Sequence, residues 1–578
     1  MKLSVFCTTI ASAILFTFSF SVAENTKPYN LLFIMTDQHR HDVIGTAGNP
    51  VIQTPHMDFL AADGVRFSSA FTVCPVCTPS RTSMFVGRSI GNTGISTNAQ
   101  STQDTPETPL LQMKSYDKIL NENGFFSEYH GKWHSPLFLA GIHKQGDESY
   151  FYNFLYSILP NGKYANSEKD SLSELIRTNA PFDISELKNG LQFQRRFFRP
   201  YAPVSVDVKF GLPSPKSIGK KGQPEDVPSS EAADFGQLIL DAKYSQTSFQ
   251  RDLVLQALDN AKKAGKPFNI TASISFPHPP MVVTEPYFSK YRDKNNRPIK
   301  ELDALVEPSI GDRSLNSPYP LNNPRRNHTG HFNEPQKITD MTAVYYGLVT
   351  EVDDAIGQII QKLKDIGEYD DTLIIYTSDH GEMLGSHGLN GKGNFYDASI
   401  RIPLILKEPK GEHKGLVIDK PVMSTDLFAT ILDYTISDTK TPSDGQSLRT
   451  LIENPGNNSW RDFAVSEWNH FTESVPSYCI TTKDWKLMLA RSDKAKSALY
   501  DRKNDPNELK NLLPESNETE VKKYRFIAEE LKQKLVDYLK QINHFDSRHI
   551  ESFDIFVPVS VDNIRKKREV LPRPKRGS

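Results

Sequence analysis

Four short runs of apolar, partly β-branched residues punctuate the chain, and each ends in polar residues capable of chemistry. The first is Asn30-Leu31-Leu32-Phe33-Ile34-Met35, followed by Thr36-Asp37-Gln38-His39-Arg40. The second, Phe125 to Tyr129, leads into His130-Gly131-Lys132-Trp133-His134. The third runs from Phe268 to Phe276 and leads into Pro277-His278-Pro279-Pro280. The fourth, Asp371 to Tyr376, leads into Thr377-Ser378-Asp379-His380-Gly381-Glu382. Continuous apolar runs of this length, bounded by turn residues, predict buried strands. Between them the spacing of apolar positions becomes helical, briefly at Tyr116, Ile119 and Leu120 and at length from Met341 to Ile366, ending near Gly367. Strands alternating with helices predict an α/β fold with a large, mostly parallel sheet flanked by helices. Ligands in such sheets bind beyond the carboxyl ends of the strands, and all four polar clusters fall there.

The pattern changes twice. From about 140 to 235 it loses periodicity and becomes rich in Pro, Gly, Ser and Lys, which predicts an insertion with long loops that shapes a substrate cleft. Beyond about 437 it predicts short antiparallel strands at 463–468, 477–482 and 485–489. A long amphipathic helix follows at about 520–542, making a smaller C-terminal α+β subdomain. The expected organisation is a leader at 1–23, a catalytic α/β domain at 24–436 containing the insertion, the subdomain at 437–545, and an extension at 546–578 with a basic tail. That tail is a solvated segment or a hold on an anionic polymer.

Composition changes this picture little. The 578 residues are 38% hydrophobic and 24% charged with a formal net charge of −2, a balance that calls for neither nucleic acid nor a membrane surface. The leader matters more. Lys2 precedes an uncharged, largely apolar run up to Ala23, and Ser21-Val22-Ala23 is a small-x-small cleavage pattern. This predicts export through a signal peptide, to a periplasm or the medium, or to a lysosome in a eukaryotic cell. No second run of spanning length follows, so no stable membrane insertion is expected. Of four sequons, Asn269, Asn327, Asn457 and Asn517, the first falls in a predicted buried strand.

The mature chain keeps Cys74, Cys77 and Cys479. Cys74 and Cys77 form a C-x-x-C pair, but three thiols leave one odd, and a structural zinc site needs about four ligands. Asp37, Asp379 and His380 follow two strands distant in sequence, and two carboxylates with an imidazole suit a divalent cation. Carboxylate oxygens favour calcium or magnesium, the imidazole admits manganese or zinc, and Gln38 offers a further oxygen. Arg81, Lys132, His134, His278 and Lys392 add positive or proton-transferring groups at the same edge, which points to an anionic substrate group such as sulfate or phosphate.

Cys77-Thr78-Pro79-Ser80-Arg81, continuing through Gly87-Arg88, resembles the signature of the type I sulfatases, within the alkaline phosphatase-like superfamily. The resemblance extends to Thr36-Asp37-Gln38, Gly131-Lys132-Trp133-His134, Ser378 to Glu382, Gly391-Lys392 and the C-terminal segment from Leu499 to Glu508. It implies that a formylglycine-generating maturation enzyme oxidises Cys77 to formylglycine, and that Asp37, Gln38, Asp379, His380 and residue 77 hold one divalent cation, calcium first. It also implies that a hydroxyl of the hydrated aldehyde attacks sulfur and expels an alcohol. His278, with Lys392, would protonate that alcohol. His134 would take the proton of the second hydroxyl, so that the hemiacetal sulfate collapses to aldehyde and sulfate. Arg81 and Lys132 would hold residue 77 and the sulfate, and His387 would reach the substrate. Many members carry two aspartates in the first metal motif and Asp-Asn in the second, whereas this chain has Asp37-Gln38 and Asp379-His380, as choline-sulfatase-like and phosphonate-monoesterase-like branches do. The expected activity is sulfate-ester hydrolysis on sulfated carbohydrate. A phosphonate or phosphate esterase, or a non-catalytic binder of sulfated glycans, is also compatible. Cys74 is expected to be free or bonded to Cys479.

Overall fold

The computed structural model describes residues 28–102, 113–136, 235–279, 281–306, 335–469, 476–491, 497–513 and 518–556, with Leu139 and the short strands Lys144–Gln145 and Phe198–Pro200. The leader, most of the expected insertion and the basic tail lie outside these residues.

Eight strands build the central sheet: β1 (Asn30–Asp37), β2 (Val65–Phe67), β3 (Phe126–Gly131), β4 (Lys144–Gln145), β5 (Phe268–Pro277), β6 (Thr372–Ser378), β7 (Leu404–Lys407) and β8 (Leu416–Ile418). Their order is β8-β2-β7-β6-β1-β5-β3-β4. Every neighbouring pair is parallel except those made by β7, which runs antiparallel to both β6 and β2.

The apolar runs are continuous because both faces of the sheet are covered. Leu32 and Ile34 of β1 join one core with α1 (Pro55–Ala62), while Leu31, Phe33 and Met35 join the opposite core with α2 (Cys77–Val86) and α3 (Tyr116–Glu122). The first core is completed by α4 (Gln246–Ala264) and by the 31-residue α5 (Pro335–Asp365), the second by α6 (Asp426–Ile436). A strand exposes alternate residues to opposite faces, so a strand packed on both sides must be apolar throughout. Helix α4 shows the local determinants clearly. The Ser245 hydroxyl accepts from the Ser248 amide at its start, and Gly265, at φ 62°, closes its end.

At the carboxyl ends the regular pairing fails. The β1–β5 register shifts between Thr36 and Asp37, so that Asp37 lies opposite Pro277. Such a shift bends the strand ends apart, and the crevice that opens receives the four polar clusters. Gly131 closes β3 against β5 there. A Cβ on it would stand 1.8 Å from the Ser273 carbonyl oxygen, so no other residue lets the chain turn into Lys132 at this distance.

The C-terminal subdomain is an antiparallel sheet in the order β9 (Phe463–Trp468), β10 (Ser477–Thr482), β11 (Trp485–Leu489) and β12 (Ala498–Asp501). It packs beside α7 (Glu518–Gln541). Its core is continuous with Phe71, Val76, Met383 and Tyr396, so it seats directly on the segments that carry the crevice. Among the described residues no helix is long and apolar enough to cross a membrane.

Glu351 on α5 makes stability depend on pH with a definite sign. Burial pushes its carboxyl up to about 7; Ser245 and Arg251 oppose the rise and Asp354 adds to it. The folded chain therefore holds a proton that the unfolded chain has lost between about pH 4.5 and about pH 7, and stability falls as pH rises through that window. Glu351→Gln is expected to match the wild type in urea unfolding at about pH 4.5 and to exceed it by roughly 1–3 kcal/mol at about pH 8. A difference that does not change with pH would contradict this linkage.

Candidate active site

Helix α2 begins at Cys77, after an extended Val76, and every residue of it is buried. Pro79 sits within the first turn, where its missing N–H costs nothing. The Cys77 side chain thus stands at a helix start, facing the ends of β1 and β6. Its Sγ lies 3.1 Å from His380 Nε2, 3.0 Å from Lys392 Nζ and 3.9 Å from Asp37 Oδ1. His134 and His278 also direct hydrogen bonds at this sulfur. Burial alone would raise the thiol, but Lys392, Lys132 and His380 outweigh it and hold Cys77 well below its ordinary range. By contrast, burial pushes the Cys74 thiol up. Cys74 and Cys479 are both buried and free, so of the two outcomes expected for Cys74 the chain adopts the unbonded one.

Arg81 organises the acids. It is fully buried, one helical turn along from Cys77. Its Nε donates to Asp379 Oδ2 at 2.7 Å, Nη2 to Asp37 Oδ2 at 3.3 Å, and Nη1 to the Lys132 carbonyl at 2.7 Å and Ser273 Oγ at 2.9 Å. All its nitrogens are engaged by protein acceptors. Arg81 therefore holds the carboxylates and the turn after β3 through four of its five N–H groups. Lys132 Nζ pairs with Asp37 Oδ2. Burial and the neighbouring Cys77 push Asp37 up, but Lys132, His278 and Lys392 hold it well below the usual carboxylate range.

Asp37, Cys77, Asp379 and His380 bring one ligand atom each to within 4.8 Å of all the others, and all four are buried. The hydrogen bonds fit a cation. His380 Nδ1 lies 3.0 Å from the Gly381 carbonyl, an acceptor only. Nδ1 therefore carries a proton and fixes the ring, which leaves Nε2 turned toward the acids, where it would meet a bound cation. Asp37 Oδ1 stands 3.8 Å from His380 Nε2 and 4.0 Å from Lys392 Nζ, spacings longer than a direct hydrogen bond. Gln38, expected among the ligands, meets two protein groups here. Its Nε2 donates to Glu382 and its Oε1 accepts from Lys392 Nζ at 2.7 Å.

Two residues here hold left-handed backbone without being glycine, Gln38 at φ 70° and His134 at φ 42°. Each such residue costs about 1–3 kcal/mol. Gln38 is held by its N–H donating to Asp379 Oδ1 at 3.1 Å and by its carbonyl accepting from Tyr345 Oη at 2.6 Å. His278 donates Nδ1–H to the Pro279 carbonyl at 2.6 Å, leaving Nε2 toward residue 77. His387 falls elsewhere. Its ring stacks on Tyr396 with centroids 3.7 Å apart, and burial, then Arg40 and Lys486, push it down to about 3. Sequence reasoning named no role for Glu382, Ser273 or Tyr345. The signal for Glu382 was present, an acid directly after the second cluster of metal-type residues.

The model of the sulfatase family matches residues 29–437, and the one described as N-sulphoglucosamine sulphohydrolase, C-terminal, matches residues 385–541. An arylsulfatase of Clostridium perfringens is 26% identical over 529 residues, covering 89% of this chain and 93% of the relative. An N-acetylglucosamine-6-O-sulfatase of Bacteroides thetaiotaomicron is 28% identical over 546 residues, covering 90% and 88%. Among solved structures, a phosphonate monoester hydrolase from Silicibacter pomeroyi shares the fold with a TM-score of 0.62 at 24% identity, covering 89% of this chain and 96% of that one.

Replacing Arg81 by Met leaves Asp37 and Asp379 buried without their shared counter-charge. In chelator-treated protein this should cost about 3–5 kcal/mol in urea unfolding. Arg81→Lys, which keeps the charge but not the fork, should fall between the wild type and Arg81→Met. A loss below about 1 kcal/mol for Arg81→Met would show that the two acids are neutral or hydrated instead.

Proposed function

The chain belongs to the sulfatase family and hydrolyses sulfate esters; from that premise we propose an exported enzyme that acts on sulfated carbohydrate through a formylglycine made from Cys77 beside one divalent cation. The observation that carries this reading is the convergence on one atom. Cys77 Sγ lies within 3.1 Å of both His380 Nε2 and Lys392 Nζ, inside a buried set of two carboxylates and an imidazole. An unmodified cysteine needs no such surroundings for packing, and a redox pair would need Cys74 exposed or bonded, whereas it is buried and free.

Asp37, Asp379, His380 and residue 77 would hold the cation, calcium by preference for carboxylates, with magnesium or manganese compatible. Bound there, it supplies Lewis-acid stabilisation of an anionic oxygen and favours ionisation of a hydroxyl at residue 77. Lys132 and Lys392 place positive charge beside that position in a buried site, where charge on a sulfuryl oxygen is stabilised most strongly. Lys132 also ties down Asp37, so its contact with substrate is made from a fixed platform. His278 faces residue 77 through Nε2, with Nδ1–H fixed on the Pro279 carbonyl. In its protonated form it gives Nε2–H to the alcohol oxygen as the S–O bond breaks. His134, also directed at residue 77, takes up a proton there as free sulfate leaves. Overall one water is consumed, the alcohol oxygen leaves as R–OH, and sulfur keeps four oxygens. Arg81 holds both acids and, with Lys132, would hold residue 77 and the sulfate.

The carbohydrate assignment is supported by the Bacteroides thetaiotaomicron relative, an N-acetylglucosamine-6-O-sulfatase, and by the C-terminal match, named for N-sulphoglucosamine. Export is supported by the leader pattern from Lys2 to Ala23. The expected organisation is a catalytic domain at 24–436, whose cleft is shaped by the 140–235 insertion, and the seated subdomain at 437–545.

The test is steady-state hydrolysis by protein co-expressed with a formylglycine-generating enzyme. 4-Nitrophenyl sulfate should be turned over with kcat/KM at least about tenfold above that of an aryl phosphonate, and Cys77→Ala should lose at least about 10³-fold. A phosphonate preference would make the chain a phosphonate esterase. Sulfatase activity that survives Cys77→Ala would remove residue 77 from the chemistry.

A further inference from the structure

Strand β2 carries a residue that its place in the sheet does not call for. The strand lies inside the central sheet, between β7 and β8. Val65 and Phe67 join the core on one face, so Arg66 between them points to the other. Its cross-strand neighbour there, Ile405, belongs to the core packed against α1, as does Ile44. A strand position covered by protein demands an apolar side chain, yet this one is a cation. Among the described residues Arg66 has no acid partner, and its Nε is shut away from water without a hydrogen-bond acceptor. Burial, then the neighbouring Arg401, both work against its charge.

Arg66 and Arg401 line one cavity of about 130 Å³. The Ser68 carbonyl takes the Nε–H of Arg401 at 3.0 Å and one N–H of Nη2, while Nη1 stands 3.6 Å from Asp397, too far for a direct hydrogen bond. Arg401 is thus anchored in the wall with N–H groups to spare. His41 lines the same cavity, and its Nδ1 is buried with no hydrogen-bond partner. Asp42 is the one acid among the described lining residues, and its two oxygens are already taken by Arg40, at 2.6 Å from Nε and 3.0 Å from Nη2. The cavity therefore gathers two guanidiniums and an unpartnered imidazole nitrogen around a space that no protein carboxylate is free to neutralise.

We propose that this cavity is a second oxyanion site, separate from the catalytic centre, in which Arg66, Arg401 and His41 hold a sulfate group. A buried cation without a counter-charge is costly, and a bound dianion supplies what the fold withholds from Arg66. Guanidiniums pair with oxyanions through parallel N–H groups. A planar carboxylate would occupy one such fork, whereas a tetrahedral group turns oxygens toward two forks from different segments at once. Both walls are continuous with the active site: His41 follows Asp37 by four residues, and Arg401 follows the segment whose Ser399 carbonyl accepts from the Gly381 amide at 2.8 Å. The group held is either free sulfate, the product of the reaction, or a sulfo group on a glycan, and the recognising chemistry is the same.

Arg66→Met separates this role from a structural one. In chloride buffer free of sulfate the variant should melt no lower than the wild type, because an unpaired charge leaves a covered face. Sodium sulfate at about 10 mM and fixed ionic strength should then raise the wild-type melting temperature by about 1–2 °C more than that of the variant. The catalytic centre binds sulfate in both proteins, so the difference reads the second site alone. With 4-nitrophenyl sulfate, which is small and carries one sulfo group, kcat should stay within about twofold of the wild type.

Wild-type crystals soaked in sodium selenate give a reading that needs no variant. An anomalous peak should stand between Arg66 and Arg401, with selenate oxygens about 3 Å from a nitrogen of each. Crystals of Cys77→Ala soaked in N-acetylglucosamine 6-sulfate identify the source. Sugar density attached to the group between the arginines assigns the site to a glycan sulfo group, and occupation by selenate alone assigns it to the free anion. An empty cavity in the selenate soak, equal sulfate shifts in the two proteins, or a variant clearly less stable than the wild type in chloride would overturn the proposal. A selenate peak without the solution difference would mark an adventitious ion only and overturn it as well.

Discussion

Two carboxylates with no exposure to solvent, Asp37 and Asp379, constrain everything around them. A buried charge needs both a counter-charge and hydrogen bonds, and here one guanidinium serves both acids. Asp37 ends β1, Asp379 follows β6, and Arg81 belongs to α2, so the ion contacts at 3.3 and 2.7 Å lock the helix carrying residue 77 onto two neighbouring strand ends. The Ser80 hydroxyl adds a second tie from the same helix by donating to the Asp379 carbonyl at 2.6 Å. The geometry of the nucleophile position therefore follows from charge neutralisation as much as from apolar packing. The site is rigid because moving any one member would leave a charge unpaired in the interior.

The C-terminal subdomain extends this constraint to the other side of the crevice. Lys486 on β11 is fully buried. Its Nζ bonds the Phe395 carbonyl at 3.1 Å and pairs with Asp397 and Glu508. Glu508 in turn accepts from the Asp397 amide at 2.8 Å, and Arg502 donates to Asp397 at 2.6 Å. These contacts pin the stretch just beyond Lys392, so the small sheet is a buttress for the loop that supplies the lysine. A subdomain joined only by apolar packing could slide; one joined through desolvated charges has a single low-energy seat.

Much of this was legible in the sequence for a simple reason. A sheet covered on both faces demands unbroken apolar strands, and chemistry at its carboxyl edge demands polar residues directly after them. The runs ending at Met35, Tyr129, Phe276 and Tyr376 show both features. The helix expected from Met341 to Ile366 is found over Pro335–Asp365, and the strands at 463–468, 477–482 and 485–489 followed from the pattern of apolar positions. The fourth subdomain strand, Ala498–Asp501, is too short to show a period. Side-chain direction was not legible. Gln38 follows a metal-type aspartate, yet its amide points at Glu382 and Lys392. Arg81 follows the cysteine as a sulfate-binding arginine would, and four of its five N–H donors go to protein acceptors. His387 sits in a promising loop, yet its ring is taken by Tyr396. For Gln38 and Arg81 the deciding partners are mostly far away in sequence, and only the fold brings them into range.

Residue 77 must be more than a cysteine for this chemistry to run. A mass spectrum of the peptide that spans it, taken from protein matured in a formylglycine-competent host, addresses that directly. The expected result is loss of the thiol and appearance of an aldehyde, trapped by a hydrazide probe as a single adduct. An unmodified thiol in protein that still hydrolyses sulfate esters would contradict the formylglycine mechanism.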